Sequence, residues 1–145
     1  MNQEINRNEP VFSISTAARL LKISVHTLRM YEREGLFIVY KNNSKQRLFS
    51  QADIERVQCI RSAINEAKIS INGIKTIYSL IPCWDIMKCP EAERSNCEAF
   101  NRSHIPCCSY DHKNVCNEKE CRTCEVYTKY SQCGEIKELI KSISR

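Results

Sequence analysis

The sequence predicts a mainly α-helical protein: four helices and a short β-hairpin in the first half, then an irregular cysteine-rich region and a short C-terminal helix. Three observations carry this. Apolar residues recur at helical spacing between capping residues as far as Pro82. Of 10 cysteines only Cys59 precedes Cys83, and the rest fall between Cys83 and Cys133. The charge is divided as well, since residues 1–82 hold 12 Lys and Arg against 7 Asp and Glu, whereas residues 83–145 hold 10 of each. The net charge of +5 therefore belongs to the cysteine-poor half.

The elements follow in order. Residues 1–11 read as a loose polar arm. The first helix runs from Ser15, its expected N-cap, to Leu21, with Ile14, Ala17, Ala18 and Leu21 on one face. Lys22-Ile23-Ser24 breaks it. Ser24 caps a second helix, Val25 to Glu34, which turns Val25, Leu28 and Tyr31 inward. Gly35 ends that helix as a residue able to adopt the left-handed conformation. Two short helices joined by a three-residue turn form a helix-turn-helix pattern.

Leu36–Tyr40 and Gln46–Phe49 then read as two strands around the polar turn Lys41-Asn42-Asn43-Ser44-Lys45, a basic, exposed hairpin. Ser50 and Asp53 open a third helix with a capping-box arrangement. Its expected buried stripe is Ile54, Val57, Ile60 and Ile64, with Cys59 a small, partly buried hydrophobe off the stripe. A fourth helix is expected over Ile71–Ile81, with Ile74, Ile77, Tyr78 and Ile81 inward and Pro82 as its stop. Residues 83–126 show no lasting periodicity. Helical spacing returns in Glu135–Ser144. The implied organisation is an arm (1–11), a helical domain (12–82), a cysteine module (83–133) and a C-terminal helix (134–145).

The composition excludes several classes. Residues 1–10 lack the apolar stretch of a signal peptide, and no run approaches a membrane span of about 18 apolar residues. A cytoplasmic protein is expected, in which clustered cysteines more often bind metal or do redox chemistry than form structural disulfides. With 3 glycines and no nucleotide-binding loop, no enzyme is indicated. Cys121-x-x-Cys124 lacks the strand-helix frame of a thioredoxin-like redox motif. A small basic unit without a substrate pocket motif points to a polyanion partner.

Phe12-Ser13-Ile14-Ser15-Thr16-Ala17-Ala18, Val25-His26-Thr27-Leu28-Arg29-Met30-Tyr31-Glu32-Arg33-Glu34-Gly35-Leu36, Arg47-Leu48-Phe49-Ser50, Asp53-Ile54 and Ile69-Ser70-Ile71 together resemble the MerR family of transcription regulators. The resemblance covers about residues 12–80. It implies a winged helix-turn-helix, double-stranded DNA as partner, a homodimer, and RNA polymerase as a further partner. It places the second helix in the major groove and the hairpin, as a wing, on phosphates.

The candidate DNA-binding residues are then Ser15, Thr16, Ser24, His26, Thr27, Arg29 and Tyr31 in the helix-turn-helix, and Lys41, Asn43, Lys45 and Arg47 in the wing. General physics agrees: a helix N-terminus favours phosphate, Lys and Arg supply affinity through counterion release, and groove-facing side chains select sequence. Family members usually dimerise through a long helix after the fourth. Here Pro82 and the cysteines stand in its place.

In the second half only Cys121-x-x-Cys124 has the tight spacing that lets two thiolates grip one metal from a turn. Cys83-Trp84, Cys89-Pro90, Cys97, Pro106-Cys107, Cys116 and Cys121-x-x-Cys124-Glu125-Val126-Tyr127 resemble a module of bacterial sensory proteins described by two Cys-Trp pairs, with Cys108 where the second tryptophan would stand. That resemblance implies an iron–sulfur cluster or zinc held by Cys83, Cys89, Cys97, Cys107, Cys116, Cys121 and Cys124. Disulfides or free thiols are the alternative. The competing reading of the whole chain is a metal- or redox-binding interaction module whose helix-turn-helix is architectural or contacts protein.

Overall fold

A computed structural model of the chain describes residues 6–102, 106–107, 120–130 and 141. Strand β1 (Phe12–Ser13) leads directly into helix α1 (Ile14–Leu21), then come α2 (Val25–Arg33), β2 (Tyr40–Lys41), β3 (Arg47–Phe49), α3 (Gln51–Asn65) and α4 (Ile71–Ser79). The strands form one antiparallel sheet in the order β1-β3-β2, with Phe12 opposite Phe49 and Lys41 opposite Arg47. This is the expected winged helix-turn-helix plan. The added strand β1 is a correction to a two-stranded hairpin. Two residues are too few to display a period, so nothing in the sequence marks them.

Side chains stop and start the helices. Ser13, not Ser15, caps α1, accepting from the Thr16 amide at 3.2 Å, so the helix begins earlier than its apolar spacing suggests. Ser24 caps α2, Ser50 and Asp53 form the full capping box of α3, and Ser70 caps α4. Each serine satisfies an amide that the first helical turn leaves without an intrahelical partner. Gly35 has φ 77°, as a residue following a helix end requires. The arm is not loose where it is described. The Arg7 carbonyl accepts from the Ala52 amide at 2.9 Å, and Arg7 pairs with Glu55 on α3.

The core joins Ala17, Ala18 and Leu21 of α1 to Leu28 and Tyr31 of α2, Leu36 and Phe37, Phe49 of β3, Ile54, Val57 and Ile60 of α3, and Ile74 and Tyr78 of α4. Ile64 is only half-buried, and Ile77 is 38% exposed, against expectation. Helix α4 ends at Ser79, two residues short of the expected span, and Ile81 enters the core from the turn beyond it.

The cysteine-rich half is less irregular than its sequence suggests. Its described residues form three single-turn helices, α5 (Cys83–Ile86), α6 (Glu91–Arg94) and α7 (Glu98–Asn101), then a 3-10 turn at Cys121–Thr123 and a π-helical turn at Val126–Tyr130. Cys124 and Val126 belong to the same hydrophobic cluster as α1 to α4. Burying the Val126 side chain is worth roughly 1.5–3 kcal/mol, so residues 120–130 help to hold the first half together. The expected tail helix lies outside the described residues apart from Lys141.

Candidate nucleic-acid interface

Helix α2 separates its residues by face. Leu28 and Tyr31 point inward and are buried, while His26, Arg29 and Arg33, spaced three and four apart, form an exposed stripe. At its N-terminus the Ser24 hydroxyl accepts from the Thr27 amide at 3.0 Å and lies 2.8 Å from the Thr27 hydroxyl. The start of α1 repeats this device, with the Ser13 hydroxyl donating to that of Thr16 at 3.1 Å. Ser15 and Ser24 are exposed, and Thr16 and Thr27 half-buried. These expected residues therefore reach the surface as two capped helix starts.

Tyr31 is the exception. It is 3% exposed, and its hydroxyl accepts from Arg61 of α3 at 3.4 Å. Its ring is therefore part of the core, as its inward helical position predicts, and little of it is left at the surface for the DNA contact also expected of it. An aromatic ring at an inward helical position gains more from burial than a surface contact would return.

The wing turn is built by one side chain. Asn42 Oδ1 accepts from the amides of Ser44 at 3.1 Å and Gln46 at 2.9 Å, while the Asn42 carbonyl accepts from the Lys45 amide at 2.9 Å. Lys45 takes a left-handed conformation, φ 61°. Lys41, Asn43 and Lys45 are exposed.

Arg47 faces Lys41 across the ladder, an unfavourable pairing of like charges. Glu32 of α2 offsets it, with the Arg47 Nε donating to the carboxylate at 2.7 Å. This ion pair bonds the wing to α2. Among the described residues Arg29, Arg33, Lys41 and Lys45 form no ion pair, so an exposed cationic surface spans α2 and the wing.

The predicted thiols are only partly gathered. Cys83 hydrogen-bonds Cys107, which lowers the Cys83 pKa more than its burial raises it. The Cys124 thiol lies 3.8 Å from the sulfur of Met87, and Cys83, Met87 and Cys107 pack on the core that contains Cys124. The Cys89 amide donates to the Trp84 carbonyl, Cys97 precedes α7, and Cys121 opens the 3-10 turn. Trp84 packs edge-on against Phe100.

Cys116, Cys108, Cys133, His104 and His112 lie outside the described residues. Soft thiolates suit zinc or an iron–sulfur cluster, yet among the described residues no three metal-ligating side chains surround one point. The described residues thus do not complete the expected metal site. Cys59, expected to be a small, partly buried hydrophobe, is half-buried and disulfide-bonded.

Sequence reasoning passed over residues that hold the two halves together. Tyr127 OH accepts from the Ile38 amide at 2.8 Å and donates to the Ile38 carbonyl at 3.3 Å. Arg56 of α3 donates to the Tyr127 carbonyl at 2.8 Å, and its guanidinium lies over the Tyr127 ring. Arg122 pairs with Asp53 at 3.4 Å and faces the ring of Tyr40. No local signal marks contacts between residues so far apart in the chain.

Comparison with known proteins agrees with this geometry. Residues 12–80 match the family described as MerR HTH family regulatory protein. This segment is thus similar to a MerR-family helix-turn-helix. A Streptomyces coelicolor protein that carries the provisional name heat shock protein HspR is 34% identical over 77 residues. The match covers 53% of this chain and 51% of that protein, so the chain spans about half the length of the curated relative it matches. The MerR-type segment coincides with β1 to α4 and contains every candidate DNA-binding residue. The match stops before the cysteines of the second half. Among the described residues no helix is long and apolar enough to cross a membrane.

Proposed function

We propose that the chain is a sequence-specific DNA-binding transcription regulator, with α2 in the major groove and the wing on flanking phosphates. The observation that carries this reading is the exposed cationic surface of Arg29, Arg33, Lys41 and Lys45, with the exposed His26 on the same helix stripe, fixed as one unit by the Glu32–Arg47 pair. Two such units in a homodimer would read a near-palindromic site. Bending or untwisting that site costs a few kcal/mol, and RNA polymerase is the partner that would profit from the altered promoter.

Binding to duplex DNA should weaken steeply as salt rises. Arg29→Ala and Lys45→Ala, each removing a backbone contact, should weaken binding to all sequences alike and reduce the salt slope by about one apiece. Gel-shift titrations at several salt concentrations check both. If neither variant alters binding, the competing role in protein contact takes precedence.

The cysteine module is the proposed sensor, with an iron–sulfur cluster or zinc as its occupant. A coupling of about 1–3 kcal/mol suffices to tip a nearly balanced DNA distortion. Anaerobic purification, an absorption spectrum and metal analysis distinguish the two occupants. A promoter footprint with and without the occupant tests the switch, which is lost if the distortion is the same in both states.

A further inference from the structure

We propose that Tyr127 and Arg122 are wing-positioning residues, so that the Cys121–Tyr127 turn acts directly on the wing. The proposal rests on the DNA-binding reading only for its consequence at DNA; the clamp itself stands on geometry.

Ile38 lies in the half-buried link between the core residue Phe37 and strand β2. Neither its amide nor its carbonyl takes part in the sheet ladder, whose partners are Tyr40 with Leu48 and Lys41 with Arg47. A half-buried backbone pair without partners would be costly. The Tyr127 phenol serves both groups, accepting from one and donating to the other. It thereby does for the root of the wing what a neighbouring strand would do.

The phenol is held from behind. Arg56 is 5% exposed and grips Tyr127 twice, through its carbonyl and through the ring face, with 3.8 Å between guanidinium carbon and ring centroid. Arg122 adds a second tie. Its guanidinium bonds Asp53, whose other role is to close the α3 capping box on the Ser50 amide at 2.9 Å. The same guanidinium lies 5.6 Å from the ring centroid of Tyr40 in β2. The pair is largely buried, at 14% and 6% exposure, where desolvation offsets much of the attraction. Its contribution is placement more than stability.

Cysteines flank both ties. Arg122 follows Cys121, and the Cys124 amide closes the turn on the Cys121 carbonyl at 3.1 Å. The Cys124 carbonyl then accepts from the Thr128 amide at 2.9 Å, closing the turn that carries Tyr127. A change in the bonding of these two thiols must therefore move the groups that hold the wing root. The signal path runs through a few side chains and needs no reorientation of whole domains.

The test is hydrogen exchange on the full-length chain with Tyr127→Phe and Arg122→Gln. Phenylalanine keeps the ring against Arg56 and removes only the hydroxyl. We expect the Ile38 amide to exchange about three- to tenfold faster in Tyr127→Phe, as for loss of one hydrogen bond. The wing amides of residues 39–47 should follow in both variants, while α1 and α2 stay unchanged. Unchanged exchange at Ile38, or an equal increase across α1 to α4, would overturn the clamp.

The second readout is the salt slope for a random-sequence 30-base-pair duplex. Tyr127→Phe should make it shallower by about one, as for one lost phosphate contact. A slope equal to wild type would refute the consequence at DNA. If the wild-type chain itself shows no salt-dependent binding, the DNA reading fails while the exchange result still decides the clamp.

Discussion

Arg47 stands between a repulsive neighbour, Lys41, and an attractive one, Glu32. The carboxylate does more than orient a side chain: it allows two cations to occupy opposite ladder positions in one hairpin. Glu32→Gln keeps an oxygen for the Arg47 Nε and removes the charge. At low salt it should lower stability by about 0.5–1 kcal/mol, read as a reduced urea midpoint. The deficit should narrow toward molar salt as the repulsion is screened. Equal midpoints at low salt would show that the pair contributes no net charge stabilisation.

Much at this scale was legible beforehand. Ser50 with Asp53 and Gly35 behave as their local chemistry dictates, because capping and left-handed turns depend on neighbours in sequence. The inward ring of Tyr31 was legible too, but not the partner of its hydroxyl, since a tyrosine at an inward helical position can turn that group to the core or outward, and only the packing of Arg61 and α3 decides.

Helix α4 shows why element boundaries resist sequence reading. Ile74, Ile77, Tyr78 and Ile81 suggest one apolar stripe, yet the helix ends at Ser79 and leaves Ile77 partly in solvent. Tyr78 is buried with Ile74 on the inner face of this helix, and burial raises its pKa above 10.0 despite the opposing charge of Arg56. The sign follows directly. Below pH 10 the phenol is neutral in both folded and unfolded chains. Above it the unfolded chain ionises first, so the folded state loses stability as pH rises toward the raised value. Comparison of urea midpoints from pH 8 to 11 should show wild type falling away from Tyr78→Phe above pH 10. Parallel curves to pH 11 would refute the assignment. The same reasoning explains the missed strand β1, whose pairing to β3 is fixed by Phe49 and not by any pattern of its own.

At the scale of the molecule, the sequence boundary at Pro82 is a boundary in composition, but not in the core. Cys124 and Val126 pack among residues of α1 to α4, and Tyr127 and Arg122 bond to the wing root and α3. A fragment ending at Pro82 should therefore be less stable than the whole chain by about 2 kcal/mol or more, from one buried aliphatic side chain and the lost hydrogen bonds. Urea unfolding of the two proteins at equal concentration checks this. Equal stability would mean that residues 120–130 rest on the domain without supporting it.

The hydroxyl of Tyr127 and the backbone of Ile38 are 89 residues apart in the chain. Synthesis proceeds from the N-terminus at roughly 5–20 residues per second. The hairpin thus leaves the ribosome about 5–20 s before the group that steadies its root, long enough for the nascent helices to collapse without it. A hairpin assembled in this order acquires its final footing late, only after the turn that carries Tyr127 has been made.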